Sequence, residues 1–417
     1  MIIEMRFSNI YSIKDEVCID FKAGKISRTK TRALQDNVFK MNNLTLLKTQ
    51  GLFGANASGK SSIIKAAHFY RDLIITSDKY NDGDVFSYEP FKFDGFTQKP
   101  STFFVDFIED GIEYEYSFSI TRERILTEEL YYYPNGRKAK IFTRDETQSS
   151  EKKEMYSFAD GKFARPMDIA LSTGKNTLFI SRASQMDREL AKKIYNYFRT
   201  HLFIGLPKLT DDYAVTLFEE NKEVILRALK LADSDINNIE YRIEPTFSNL
   251  LKQLLPELNM PVVKMNRPRF YTTHDKDADT TFSLVSEEST GTIQIFNLLL
   301  ILLDVCKNNK TLFLDEFDIN FHNELALFVI NLVHASNSSQ FLFTSHKTNL
   351  MNLEIFRRDQ IIFVNKKDDG SGETYSLLDF TDFNENMDAE KFYLQGHFDA
   401  VPYINSSLPT IKGLLNG

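Results

Sequence analysis

The chain has 417 residues, of which 42% are apolar and 26% charged, and its net charge is -8. This composition suits two or three folded domains with full cores and argues against a protein wrapped broadly in nucleic acid. Cys18 and Cys306 offer neither a disulfide framework nor a metal spacing, which points to a reducing cytoplasm. No apolar run approaches the ~18 residues of a membrane span, and the opening residues read as a strand rather than a signal peptide.

Residues 2–7 and 16–21 are expected strands, and residues 44–53 a third. Between the second and third lie Lys22, Lys25, Arg28, Lys30 and Arg32. They read as a solvated loop, with phosphate contact as the second reading.

After the third strand comes Gly54-Ala55-Asn56-Ala57-Ser58-Gly59-Lys60-Ser61-Ser62, which fits G-x-x-x-x-G-K-[ST] at every fixed position. Helical periodicity follows it over residues 63–70. Strand, glycine loop and helix together aim backbone N–H groups and a helix N-terminus at phosphates. Lys60 would reach the outer phosphates, and Ser61 would complete a magnesium shell.

Residues 102–109, 112–120, 124–133 and 137–143 alternate as strands. The turns Asp110-Gly111 and Pro134-Asn135-Gly136 between them predict an antiparallel meander. The aromatic residues Tyr114, Tyr116, Phe118, Tyr131, Tyr132 and Tyr133 read as packing rather than as a base-stacking platform. Helices are expected over 185–200 and 213–231, with a shorter one over 250–258. A hairpin is expected from 269–273 and 281–285. The C-terminal third alternates helix and strand: helix 290–306, strand 311–314, helix 323–334, and strands 340–344 and 360–365. Runs such as Leu312-Phe313-Leu314 lack polar alternation, as buried parallel strands do.

Three further groups complete a constellation. The strand 311–314 ends in Asp315 and Glu316, at the kind of tip where α/β folds place ligand-contacting groups. Asp315 would hold magnesium, and Glu316 would orient and deprotonate an attacking water. The next strand delivers His346, which could contact the γ-phosphate. Ser289, Thr290 and Gly291 open the apolar helix, as an N-cap and as an anion site.

The order of these elements resembles the ATPase head of the SMC, RecF and ABC superfamily. The resemblance implies a homodimer or higher oligomer around ATP and Mg2+, with Ser289, Thr290 and Gly291 acting in trans on the partner's nucleotide. The chain is also similar to the bacterial AAA-type ATPases of the RloA/AbiL kind, found at restriction-linked and abortive-infection loci. Residues 7–13, 54–62, 90–93, 229–233, 288–292, 314–318, 344–346, 357–361 and 390–396 carry that likeness.

The expected fold is an α/β P-loop head with an antiparallel β-lobe and a short helical insert. Helices 185–200 and 213–231 are too short and too irregular in heptads for the long coiled-coil arms of that superfamily, which is a departure from it. The chain divides into head residues 1–85, a β-lobe over 86–183, a helical insert over 184–260 and head residues 261–417. The resemblance to the RloA/AbiL-like ATPases carries a functional expectation as well. It further implies a cytoplasmic ATPase of phage defence that controls a separate nuclease or toxin. A DNA-clamping repair ATPase is the alternative, so nucleic acid is a candidate ligand, and no membrane is involved. Thr290 stands where the signature usually has glycine.

Overall fold

The computed structural model describes residues 1–81, 83–149, 151–233, 235–245 and 266–401. The helix expected over 250–258 lies outside them. Two sheets enclose the helix that follows the glycine loop.

The first sheet has seven antiparallel strands in the order β10-β9-β8-β7-β6-β1-β2. Its members are β1 (Ile2–Ser8), β2 (Val17–Asp20), β6 (Ser101–Glu109), β7 (Ile112–Ile120), β8 (Ile125–Tyr132), β9 (Ala139–Asp145) and β10 (Tyr156–Phe158). The meander therefore does not stand alone, because β6 pairs with β1 in a register that includes Met5↔Val105 and Phe7↔Phe103. Asp110 (φ 48°) and Gly111 (φ 73°) form the tight left-handed turn that the sequence predicts.

The second sheet has six strands in the order β11-β15-β16-β5-β17-β18. These are β5 (Thr49–Phe53), β11 (Leu202–Ile204), β15 (Thr311–Leu314), β16 (Gln340–Thr344), β17 (Ile361–Lys366) and β18 (Gly372–Ser376). All are parallel except β18, which runs antiparallel to β17. Both faces of this sheet are covered, which explains its unbroken apolar strands. Leu52, Phe313, Leu342 and Ile362 pack toward the meander, while Phe53, Leu312, Phe341 and Phe363 pack toward the C-terminal helices.

Helix Lys60–Thr76 fills the space between the sheets. Its Tyr70 stacks on Phe118 with ring centroids 5.0 Å apart. The sheets are also joined directly: Ile2 N–H donates to Gln340 Oε1 (2.8 Å), and Gln340 Nε2 donates to Ile2 O (2.7 Å).

Several expectations are corrected. The strand expected over 44–53 breaks at Lys48 into β4 (Leu44–Leu47), which pairs with β3 (Val38–Met41), and β5. Lys48 is buried, and its ammonium donates to His334 O and Ser336 O, closing the end of helix Asn323–Ala335. Beside it, His334 Nε2 lies 2.8 Å from Thr49 Oγ1, and burial with the Lys48 charge lowers its pKa to about 3. The basic loop is partly helical, Arg28–Ala33, capped by Ser27. The helix expected to start at 185 begins at Glu189, and β11 lies between it and the next helix, Asp211–Ala232. The hairpin of β13 (Asn266–His274) and β14 (Asp277–Ser283) gains a third strand, β12 (Ile236–Pro245).

Helix Thr290–Lys307 is long and apolar enough to cross a membrane by length and composition, contrary to the sequence reading. Its apolar residues instead fill the core below the second sheet, where Leu299 and Leu302 are fully buried.

One buried charge anchors the meander. The Glu128 carboxylate, fully buried, accepts N–H groups from Phe179 (2.7 Å) and Ile180 (3.2 Å) and the Tyr116 hydroxyl (2.8 Å). Arg144 lies 3.5 Å away. Burial raises the carboxyl pKa, and these partners oppose that rise.

Candidate functional site

Strand β5 runs directly into the glycine loop. A side chain at Gly54 would place its Cβ 2.2 Å from Val364 O, so β17 leaves room only for glycine there. Gly59, in the left-handed region at φ 115°, serves as the N-cap of helix Lys60–Thr76. Ala57 is also left-handed (φ 60°). The loop thus folds back over the helix start, with Asn56 and Ala57 exposed and Ser58 and Lys60 buried.

Two observations test whether this loop suits an anion. Ser58 Oγ is buried without a hydrogen-bond partner. Among the described residues, the Lys60 ammonium donates to the loop itself, to Gly54 O (2.8 Å) and Ala55 O (2.9 Å). Burial lowers the Lys60 pKa, while Asp315 and Glu316 counter by favouring the charged form. An orphan hydroxyl, a lysine folded onto carbonyls and a helix N-terminus fit a phosphate chain. Ser61 sits on the first helical turn, half-buried, and Ser62 Oγ accepts the Ser12 hydroxyl (2.8 Å). Asp315 and Ser61 carry hard oxygen donors of the kind that could hold magnesium.

The acidic pair leaves the tip of β15, one strand beyond β16, and β16 is itself the neighbour of β5. Glu316 holds φ at 48°, which is rare for a residue with a side chain. Thr344, the last residue of β16, holds that geometry. Its hydroxyl accepts the Glu316 N–H (2.7 Å) and donates to Asp315 Oδ1 (2.6 Å). Its neighbour Ser345 donates to Asp318 Oδ2 (2.7 Å), and burial raises the Asp318 pKa. The acidic turn is therefore pinned to the end of β16 at three points. His346 Nε2 stands 3.6 Å from Glu316 Oε1, both half-exposed, which is an ion-pair distance but too long for a hydrogen bond.

The β5, β15 and β16 tips thus bring together residues 54–62, Asp315, Glu316 and His346. Ser289, Thr290 and Gly291 lie apart. Ser289 caps helix Thr290–Lys307, its Oγ accepting Thr292 N–H (3.1 Å). Ser289 and Thr290 are exposed, and no hydrogen bond among the described residues links them to the glycine loop. Gly291 permits close approach, since a Cβ there would lie 3.1 Å from Asn320 O in the turn after the acidic pair. A groove of about 630 Å³ opens beside the acids, walled by Lys65, His68, Gln294 and Leu298.

Sequence reasoning gave no role to two residues of the segments it named. Thr344 lay in the 344–346 segment, but its role depends on a neighbouring strand and could not be read locally. Glu288, nearly buried, accepts from the Thr272 hydroxyl and lies 2.9 Å from His274 Nε2, bracing the turn before Ser289 against β13. Its place directly before the Ser-Thr-Gly segment was the available signal.

No curated protein matches the chain. Among solved structures it is similar to an SMC head bound to the C-winged helix domain of ScpA. The TM-score is 0.43 at 14% identity, covering 90% of this chain and 97% of that one. It is similar to the SMC head domain from Thermotoga maritima, with TM-score 0.37 at 14% identity, covering 90% and 98%. A Pyrococcus furiosus Smc head with an extended coiled coil, bound to the C-terminal domain of ScpA, gives 0.41 at 13%, covering 90% and 96%. The family described as "AAA domain, putative AbiEii toxin, Type IV TA system" matches residues 51–352, and the chain belongs to it.

Proposed function

We propose that this chain binds Mg-ATP, hydrolyses it slowly, and closes as a dimer around two nucleotides. The convergence of Lys60, Asp315 and Glu316 at one end of the parallel sheet, where β16 separates the loop's strand from the acids' strand and Thr344 holds the acidic turn, carries this reading. Magnesium, when bound, would neutralise phosphate charge, with Ser61 and Asp315 as its protein ligands. Lys60 would leave its own loop carbonyls for a phosphate oxygen, and the N–H groups of residues 57–62 would cradle the chain of phosphates. Glu316 would accept the proton of the attacking water, and His346 would hold that carboxylate and sense the outer phosphate. Ser289 and Thr290, both exposed, would with Gly291 complete the partner's site.

In this reading the closed dimer is the output, and ATP shifts the equilibrium by its higher affinity for the closed state. The family description, which names a toxin–antitoxin system, supports a role in defence, and control of a separate effector is part of this proposal. The decisive test uses Glu316→Gln, which keeps the shape and removes the base. With Mg-ATP the variant is expected to accumulate as a dimer by light scattering, while Lys60→Ala stays monomeric. A Glu316→Gln protein that binds ATP and remains a monomer refutes the shared site.

A further inference from the structure

The segment after helix Ala389–Leu394 lies beyond the family match, yet it reaches the glycine loop. Ala55 N–H, inside the loop, donates to Ala400 O (3.0 Å). The same carbonyl accepts the Tyr393 hydroxyl (3.2 Å). Two residues earlier, Phe398 is 1% exposed and stacks on Phe363 with centroids 4.8 Å apart. Phe380 and Phe383 enclose it at 4.9 Å and 5.5 Å, and Tyr375 donates to its carbonyl.

The anchor and the loop are mechanically one unit. Phe363 is on β17, paired with Phe53 at the end of β5, and the next residue's carbonyl, Val364 O, closes against Gly54. The β17–β18 hairpin also touches the loop, since Gly372 N–H donates to Ser12 O (2.8 Å), and Ser12 in turn donates to Ser62. Asp399 holds a left-handed φ of 50° between the anchored Phe398 and Ala400.

We propose that residues 396–400 form a regulatory strap of the nucleotide site. Docked, it holds the entrance of the glycine loop in the receptive shape. Withdrawn, it lowers nucleotide affinity without removing any group that meets phosphate. The inference rests on the ATP-binding reading and adds the element that tunes it. Linkage makes it testable, because a strap that raises nucleotide affinity must itself be stabilised by nucleotide to the same degree.

Hydrogen exchange on the full chain, with and without a non-hydrolysable Mg-ATP analogue, reads this directly. Peptides covering 50–58 and 396–400 are both expected to gain protection. Tyr393→Phe keeps the ring and removes one donor to Ala400, and it is expected to raise the analogue's Kd about twofold to tenfold. Phe398→Leu, which loosens the anchor without emptying it, is expected to do the same. Protection of 50–58 with no change at 396–400 overturns the strap and leaves nucleotide binding intact. Variants with a lower melting temperature and unchanged Kd overturn it too, since that is structural support alone. A wild-type chain that binds no nucleotide overturns both readings.

Discussion

Thr344→Val is the sharpest probe of the catalytic geometry. Valine keeps the branched shape and deletes the hydroxyl, so both bonds at 2.6 Å and 2.7 Å vanish together. Asp315 then loses a charge-assisted donor and the Glu316 N–H loses its acceptor. At this half-exposed turn water recovers part of the loss, leaving a cost of about 2 kcal/mol. The left-handed φ of Glu316 is disfavoured by a further ~1 kcal/mol, so the unpinned residue relaxes and its carboxylate leaves the site. If that cost falls on the transition state, 2 kcal/mol corresponds to a rate about 30-fold lower. Phosphate release at saturating Mg-ATP is the assay, with Kd measured separately by a fluorescent nucleotide. Turnover is expected to fall about 10- to 100-fold with Kd changed less than about threefold, and Thr344→Ser should restore it. Unchanged turnover, or equal losses in Thr344→Ser and Thr344→Val, refutes the reasoning.

Lys60→Ala removes the buried ammonium of the glycine loop, and nucleotide binding by calorimetry should disappear while the melting temperature holds. Glu128→Ala leaves the fully buried Arg144 without one of its carboxylates, and chemical denaturation should register a loss of about 3–5 kcal/mol. His334 is held neutral, with its pKa lowered to about 3 from the ordinary 6.5. The proton therefore prefers the unfolded chain, so this stability is full above pH 6.5 and drains as pH falls toward 3. Denaturation at pH 7 and pH 5 should differ by about 2 kcal/mol from this group, and His334→Gln should flatten that slope.

The parts of the site legible in sequence are those encoded locally. Residues 54–62 carry their chemistry in consecutive positions, and Leu312-Phe313-Leu314 followed by two acids announces a buried strand and its polar tip. What stayed hidden depends on pairing across the chain. Three residues, Leu202–Ile204, become a strand only because β15 lies beside them, and β18 is an antiparallel edge added to β17. The joining of β6 to β1 leaves no local trace, so the meander read as a lobe of its own. Lys48 looked like one more residue of a single strand, yet its reach to His334 and Ser336 is what ends β4 and starts β5.

Strand β16 sits between the strand that carries the glycine loop and the strand that carries the acids. Neighbouring strands lie about 4.8 Å apart, so the intervening strand sets the two tips roughly 10 Å from each other. Were they adjacent, the acids would crowd the lysine, and two opposite charges would simply neutralise each other. The doubled spacing keeps the acids a strand's width away from the loop that carries the lysine. In this fold the separation of the two groups is counted in strands, and a single hydroxyl at the end of the spacer, on Thr344, fixes the acidic side.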